Sequence, residues 1–276
     1  MTLISANADD AAPAGALELK HLIGGAWVAS ASGETFDRRS PATAQLVSHA
    51  AKGGAAETEA AIAAARAAFD SREWSETPGA ERSRLLTKVA DLIDANRSRI
   101  ALYETMESGK PISQAEAEIE GAANIWRYAA TQAWNIRGES QNALGSDMLG
   151  MVLKEPVGVV SLITPWNFPF LIISQKLPFA LAAGCTAVVK PSEMTSATTV
   201  ILGELLIEAG LPAGVVNVVL GYGDPVGQIM SAHSDIDMVS FTGSTGVGKA
   251  IVAATSQTLK KVSLELGGKN PQVIFP

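Results

Sequence analysis

Four short segments of this sequence carry residues that could do chemistry. The first, residues 164–169, reads Thr-Pro-Trp-Asn-Phe-Pro and holds Asn167 in a loop that two prolines stiffen. An amide that is held rigidly can donate a hydrogen bond to a developing oxyanion. The alternative is an asparagine that only bonds to the backbone of its own turn. Both interpretations of Asn167 stay open at this point.

The second segment, residues 190–193, reads Lys-Pro-Ser-Glu and follows the apolar run that ends at Val189. Lys190 and Glu193 could both bond to the sugar hydroxyls of a nucleotide. An acidic residue at a strand end pairs with the ribose 2′-hydroxyl and disfavours a 2′-phosphate. The alternative is that Ser192 and Glu193 only cap the helix that follows.

The third segment, residues 241–249, reads Phe-Thr-Gly-Ser-Thr-Gly-Val-Gly-Lys. It follows a predicted strand and opens a predicted helix, which is the setting in which a glycine loop binds an anion. Residues 243–249 match the start of a P-loop, but Ala250 stands where a P-loop needs Ser or Thr to hold Mg²⁺. This argues against an NTPase and leaves two hypotheses, a phosphate or pyrophosphate site and a plain glycine-rich helix start.

The fourth segment, residues 264–271, reads Leu-Glu-Leu-Gly-Gly-Lys-Asn-Pro and places Glu265 just after a short predicted strand. Its leucine neighbours predict an apolar environment that would disfavour the charged carboxylate. Such a carboxylate suits a general base that acts near neutral pH. The alternative is a glutamate on a solvated strand end.

The elements that must position these segments have an α/β pattern. Short apolar runs at 157–163, 186–189, 215–220 and 238–241 alternate with helical patterns at 170–183, 196–209, 225–232 and 244–257. Strands that are apolar on both faces and separated by helices predict a doubly wound parallel sheet over residues 156–265. A ligand of such a sheet is expected at the carboxyl ends of its strands.

The residues before this sheet differ in character. We expect 1–16 to be a mobile N-terminal arm. Residues 17–137 are predicted to be mostly helical, with helices over 57–70, 81–106 and 115–133. Residues 138–155 contain glycines and no helical period, and they predict an extended hairpin.

Composition excludes several classes of function. The formal net charge is −7 and no basic cluster occurs, which argues against nucleic acid and against a membrane surface. Three scattered histidines lack metal-ligand spacing, so no metal site is predicted, and a single cysteine excludes a disulfide framework. The apolar runs are too short to span a membrane, and we expect a cytoplasmic protein.

Taken in order, several segments together resemble the aldehyde dehydrogenase superfamily. They are residues 107–111 (Glu-Ser-Gly-Lys-Pro), 164–169, 178–184 (Pro-Phe-Ala-Leu-Ala-Ala-Gly), 190–193, 241–248 and 265–271. The resemblance runs from about Leu22 onward, with the betaine-aldehyde and aminoaldehyde group as the nearest. It implies an enzyme in which a thiohemiacetal between an aldehyde and a cysteine gives a hydride to NAD(P)⁺. A carboxylate then activates water to hydrolyse the thioester.

The resemblance also implies roles for individual residues. Asn167 would be the oxyanion donor and Glu265 the general base. NAD is the expected cofactor, with NADP possible, and 138–155 would join subunits of a homodimer or homotetramer. The implied cofactor-binding residues are Ile163, Thr164, Pro165, Trp166, Lys190, Ser192, Glu193, Gly223, Phe241, Thr242, Gly243, Ser244, Val247 and Gly267.

One feature of the family has no counterpart in this sequence. The nucleophile of the family follows the Glu-Leu-Gly-Gly-Lys segment in the next domain, so we expect residues 266–276 to begin a truncated catalytic domain. The isolated chain would then be inactive. Cys185 lies at the start of a buried strand and is expected to be a core thiol. The alternative function is a nucleotide-binding or scaffold fragment without turnover.

Overall fold

The computed structural model describes residues 15–275, so nearly all of the predicted mobile arm lies outside the described residues. The strands are β1 (Leu17–Leu19), β2 (His21–Ile23), β3 (Ala26–Val28), β4 (Thr35–Arg39), β5 (Leu46–Ala51), β6 (Glu139–Gln141), β7 (Gly150–Val152), β8 (Val159–Ile163), β9 (Thr186–Lys190), β10 (Val216–Val218), β11 (Met238–Gly243) and β12 (Lys261–Leu266). The helices are α1 (Ala55–Asp70), α2 (Gly79–Ala95), α3 (Arg97–Ser108), α4 (Ile112–Ala133), α5 (Pro169–Ser174), α6 (Leu177–Ala182), α7 (Ala197–Ala209), α8 (Gln228–Ala232) and α9 (Thr245–Thr255), with a π-helical turn at Gly223–Gly227.

The largest sheet has seven strands in the order β12-β11-β8-β9-β10-β2-β3. The first five are parallel, and β2 and β3 add an antiparallel edge. The chain runs outward from β8 through β9 to β10, and then continues on the other side of β8 with β11 and β12. The α/β fold with parallel strands is therefore confirmed. The direction of winding changes between β8 and β11, where open α/β sheets bind their ligands.

Helices cover both faces of this sheet. Successive residues of each strand point to opposite sides, so each strand contributes apolar side chains to both. Val159 and Ile163 of β8 belong to one apolar cluster, which includes residues of α1 and α9. Val160 and Leu162 belong to a second cluster, in which α6 and α7 lie against the sheet and α2 to α4 lie behind them. The strands are thus buried on both faces, as their continuous apolar runs predicted.

The prediction that residues 17–137 are mostly helical is wrong for their first part. Five strands occupy 17–51 before α1 begins, and β1, β5 and β4 form a separate three-stranded sheet. In the large sheet, β2 pairs with β10 through Leu22 and Val218, and His21 Nδ1 accepts a hydrogen bond from the Leu220 N–H at 3.0 Å. A strand of three residues is too short to show a period in the sequence, and its partner lies far along the chain.

Two predicted helices are each divided in two. The stretch 81–106 is interrupted at Asn96, whose side-chain amide donates to the Leu92 carbonyl at 2.9 Å and so competes with the helical hydrogen bonds. The stretch 170–183 is interrupted between α5 and α6, and Pro178 lies in the first turn of α6, where a proline needs no N–H partner.

Residues 138–155 contain a β-hairpin, as the sequence predicted. Strands β6 and β7 pair antiparallel, with Glu139 opposite Val152. Leu149, Met151 and Leu153 on its second arm are 65%, 67% and 76% exposed, which is unusual for side chains of this size. Its part in subunit association stays a prediction. No helix within residues 15–275 is long and apolar enough to cross a membrane.

Candidate active site

The register of the parallel strands brings three predicted cofactor residues side by side. Ile163 at the end of β8 is opposite Lys190 on β9, and Phe241 on β11 is opposite Ile163. All three lie at the carboxyl ends of neighbouring strands, where the winding of the sheet changes direction. This edge is where the fold predicts a ligand.

The glycine-rich segment joins β11 to α9 at the same edge. Strand β11 ends at Gly243 and Ser244 caps the helix, with its Oγ accepting from the Val247 N–H at 3.3 Å. A Cβ added at Gly243 would overlap the tip of the Phe241 ring, so a larger residue there would require that ring to shift. At Gly246 an added Cβ would meet no described atom within 4 Å, which leaves the N-terminus of α9 open to an anion.

Lys190 and Glu193 lie together beyond the end of β9. The Lys190 ammonium is buried, donates to the Pro191 carbonyl at 2.9 Å and lies 3.5 Å from a Glu193 carboxylate oxygen. Burial lowers the pKa of Lys190, although the Glu193 carboxylate opposes this effect. The Glu193 side chain is 36% exposed, so a ligand can reach it.

Ser192 and Glu193 do not cap the following helix, so the capping alternative is wrong. Helix α7 begins at Ala197, and the Ala197 N–H donates to the buried Glu107 carboxylate at 2.9 Å. The Ser192 hydroxyl instead accepts from the Met194 N–H at 3.2 Å and shapes the loop. No local signal in the sequence predicts Glu107 as the cap, because it is 90 residues away from Ala197 along the chain.

The Asn167 loop leaves β8 at the same edge. The Thr164 N–H donates to the Lys190 carbonyl at 3.1 Å, which ties the start of the loop to β9. The Thr164 hydroxyl is buried and finds no hydrogen-bond partner within residues 15–275. Pro165 is half-buried, Trp166 is 52% exposed and Asn167 is exposed, so the tip of this loop is accessible.

Glu265 does not have the apolar environment that its leucine neighbours predicted. It lies within β12 rather than after it, and it is exposed. Because alternate residues of a strand face opposite sides, Leu264 packs towards the α1 face while Ser263 and Glu265 line a cavity on the other. The flanking leucines therefore do not enclose the carboxylate.

This cavity has a volume of about 740 Å³ and is lined by a lysine that no motif in the sequence predicts. Lys176, in the break between α5 and α6, donates to the Ser240 hydroxyl at 2.8 Å. Burial lowers the pKa of Lys176, and the Glu265 charge acts in the opposite sense. Thr242 also lines the cavity. The signal in the sequence was a single cation between two apolar helical stretches.

Cys185 lies in the wall of the same cavity but is only 3% exposed. Burial raises the pKa of its thiol, which keeps the sulfur protonated and unreactive. These properties are those of a core thiol. Within residues 15–275 no group of three His, Cys, Asp or Glu side chains could hold a metal ion.

Two further predicted glycines flank the site. Gly223 opens the π-helical turn after β10, and Gly267 follows β12, so both lie beyond the carboxyl ends of strands of the large sheet. Both are exposed, and a Cβ added at either would meet no described atom within 4 Å. Their backbone is open to a ligand, although nothing in their own contacts requires glycine.

Comparisons with known proteins place the chain among aldehyde dehydrogenases. A profile of the aldehyde dehydrogenase family matches residues 27–276. Aminoaldehyde dehydrogenase 2 of Zea mays is 43% identical over 259 residues, which cover 92% of this chain and 51% of that protein. An NAD-dependent aldehyde dehydrogenase from Sinorhizobium meliloti has 50% identity and a TM-score of 0.91, covering 93% of this chain and 51% of that one.

The chain is also similar to a solved structure of a betaine aldehyde dehydrogenase variant from Staphylococcus aureus in complex with NAD⁺. Its identity is 40% and its TM-score 0.90, with 91% of this chain and 51% of that chain covered. The chain thus spans about half the length of the relatives and solved structures that it matches.

Proposed function

Because this chain belongs to the aldehyde dehydrogenase family, we propose that it forms the cofactor-binding part of an enzyme that oxidises an aldehyde to a carboxylic acid with NAD(P)⁺. The observation that carries this proposal is the strand register. It gathers Ile163, Lys190 and Phe241 at the carboxyl edge of the sheet, next to the N-terminus of α9. Residues 156–265 would be the cofactor core, and 266–276 the beginning of the catalytic domain.

The residues at this edge fit a dinucleotide. Lys190 and Glu193 would hold the adenosine ribose, and Ser192 would shape their loop. Ser244 and the open N–H groups of α9 would hold the pyrophosphate. The buried Thr164 hydroxyl, unpaired within residues 15–275, is free to bond to a ligand. The remaining cofactor contacts would come from Ile163, Pro165, Trp166, Gly223, Phe241, Thr242, Gly243, Val247 and Gly267.

The bound cofactor would supply the hydride acceptor, and the chain itself would supply two groups for the chemistry. The accessible amide of Asn167 would donate to the aldehyde oxygen as negative charge develops on it. Glu265 would take a proton from the water that releases the acid product. Lys176, bonded to Ser240, lines the same cavity as Glu265.

The reacting thiol would come from residues beyond this sequence. Cys185 is the only cysteine in the chain, and its burial and raised pKa make it a poor nucleophile.

The exposed apolar side chains of the 138–155 hairpin suit an interface between copies of the chain, as in a homodimer or homotetramer. We place the enzyme in the cytoplasm. The alternative is a scaffold without turnover, in which Asn167 and Glu265 would be ordinary exposed side chains.

The test uses the complete protein, betaine aldehyde and aminoaldehydes as substrates, and NADH absorbance as the signal. NADH should form with NAD⁺. Glu265→Gln should slow the steady state by about 10²-fold or more, because a general base typically contributes that much. The first turnover should still release its NADH, so a burst should precede the slow phase.

Glu155→Gln is the matched control, because Glu155 also lines the cavity but has no proposed part in the reaction. It should leave both phases unchanged. An unaltered steady-state rate in Glu265→Gln, with no burst, would remove Glu265 from the role of base. No NADH from any aldehyde, although the protein binds NAD⁺, would instead support the scaffold.

A further inference from the structure

A buried ionic cluster lies where α3 meets α4, outside the site described above. Gly109 ends α3 in the left-handed conformation (φ +79°), and Pro111 directly precedes α4. This tight turn places Lys110 between the carboxylates of Glu104 and Glu118. The Glu104 side chain is fully buried, and those of Lys110 and Glu118 are each 9% exposed. A buried cluster of this kind is weak evidence for stability alone, because apolar side chains can often replace it without loss.

The lysine of this cluster contacts the loop that carries Asn167. An ammonium group has three N–H donors. Lys110 directs two of them to Glu104, at 2.7 Å, and to Glu118. On another side its Nζ lies 4.6 Å from the centre of the Phe168 ring, which is within the range of a cation–π interaction. Phe168 directly follows Asn167 in the chain.

One of the carboxylates holds the same loop at a second point. The second oxygen of Glu104 accepts from the Phe170 N–H at 3.4 Å, in the first turn of α5. The first N–H groups of a helix have no partner within the helix, so a remote carboxylate can fix where the helix starts. Gln114 donates to Glu118 at 2.8 Å and completes the cluster. Two contacts therefore fix the three residues that follow Asn167.

We propose that the Glu104–Lys110–Glu118 cluster is a positioning group for Asn167. It holds Phe168 and Phe170, and it thereby fixes the direction in which the Asn167 amide donates. Asn167 is exposed at the tip of its loop, so the backbone on either side must set that direction. Thr164 fixes the side before Asn167 through its bond to Lys190, and the cluster fixes the side after it. This inference rests on the proposed oxyanion role of Asn167.

The test compares the single-turnover rate of NADH formation in variants of the complete protein. Phe168→Leu removes the ring and leaves the ionic cluster intact, so folding should survive. We expect its rate to fall by about tenfold or more, because misplacing a reacting group by roughly 1 Å can cost up to about 10²-fold. The KM for NAD⁺ should not change. A triple variant leaves no unpaired charge buried and should show the same loss of rate. It combines Lys110→Met with Glu104→Gln and Glu118→Gln.

Lys88→Met is the matched lysine control, because Lys88 bonds to the Glu208 and Ala209 carbonyls at the end of α7 and, within residues 15–275, to no group of the cluster. It should keep the original rate. The decisive variants add Phe168→Leu to Asn167→Ala. If the cluster acts through Asn167, Phe168→Leu should cost nothing further once the amide is gone.

The inference would be overturned if Phe168→Leu lowered the rate by the same factor in the original protein and in Asn167→Ala. It would also be overturned if Phe168→Leu lowered the rate in neither. A rate that falls in Asn167→Ala but not in Phe168→Leu would reject the positioning role alone. An unchanged rate in Asn167→Ala would reject the oxyanion role itself, and the inference with it.

Discussion

At the scale of single residues, Lys190 and Glu193 would decide which coenzyme the proposed site accepts. The Lys190 ammonium lies 3.5 Å from the Glu193 carboxylate, and Glu193 is the more accessible of the two. A carboxylate accepts hydrogen bonds from ribose hydroxyls and repels a 2′-phosphate. The lysine alone would attract that phosphate. We therefore expect the pair to favour NAD⁺ over NADP⁺.

Replacing Glu193 by Gln should shift this preference. We expect the ratio of the Kd for NADP⁺ to the Kd for NAD⁺ to fall by about tenfold, or ~1.4 kcal/mol. Calorimetric titration of the chain with each coenzyme measures both constants. Glu76→Gln, which changes an exposed carboxylate paired with Arg72, is the control and should leave the ratio unchanged. An unaltered ratio in Glu193→Gln would show that this carboxylate does not exclude the phosphate.

The sequence predicted which segments meet at the site better than it predicted their environment. Strand ends and turn residues are local signals, so the positions of Asn167, Lys190 and the glycine segment could be predicted. The exposure of Glu265 could not, because it depends on which face of β12 the residue occupies. The contact between Lys176 and Ser240 joins residues 64 apart along the chain, and a local pattern does not show it.

At the scale of elements, the same distinction explains which strands were predicted. Strands β8 and β9 are apolar on both faces and produce continuous runs that are visible in the sequence. Strands β1 to β3 have three residues each, and their stability depends on distant partners such as β10 for β2. Pairing with distant strands decides whether such short strands form, and the local β preference of their residues contributes little.

Helix α7 shows how a distant residue can define the start of an element. The buried Glu107 carboxyl group accepts from the Ala197 N–H at 2.9 Å and from the Ser48 hydroxyl at 3.4 Å. Ser196, next to the helix start, donates its hydroxyl to the Ser192 carbonyl instead. Glu107 therefore joins the end of α3 to the start of α7, directly after the loop that carries Lys190 and Glu193.

Two substitutions at Glu107 should measure what the cap contributes to stability. Gln keeps an acceptor for the Ala197 N–H, whereas Ala removes it and leaves a cavity. We expect the free energy of unfolding to be about 2–4 kcal/mol lower for Glu107→Ala than for Glu107→Gln. Urea unfolding of the chain measures this difference. Ser196→Ala is the local control. It should lower the free energy of unfolding by less than the difference between the two Glu107 variants. Equal stability of the two Glu107 variants would contradict the cap.

At the scale of the whole molecule, buried ionisable groups link stability to pH in two opposite senses. Burial lowers the pKa of His21, against the effect of Glu57. Burial acts to raise the pKa of Glu57, but hydrogen bonds from the Ala31 and Gly54 N–H groups outweigh it and lower the value. The stability that these two groups contribute is present at neutral pH and is lost as the pH falls below their ordinary values.

Glu104 and Glu107 act in the opposite sense. Burial raises the pKa of Glu107 from its ordinary value of 4.5 to about 8, against the bond from Ala197. Burial likewise raises the pKa of Glu104 to about 7, against its pairing with Lys110. Each carboxyl therefore releases its proton at a higher pH in the folded state than in the unfolded chain, where the release occurs near 4.5. Their contribution to stability is therefore complete below that value and is lost as the pH rises through the folded pKa.

This linkage predicts how the pH dependence of unfolding changes when Glu107 is replaced by Gln. Gln binds no proton in either state, so it avoids the proton uptake that folding imposes on Glu107. The free energy of unfolding of the original chain, minus that of Glu107→Gln, should fall by up to ~1.4 kcal/mol per pH unit from weakly acid to neutral conditions. It should level off above about pH 8, where the folded carboxyl ionises. Urea unfolding of both chains at a series of pH values measures the difference, and all other titrating groups cancel in it. Parallel curves for the two chains would show that Glu107 has the same pKa folded and unfolded, and that its burial does not control its charge.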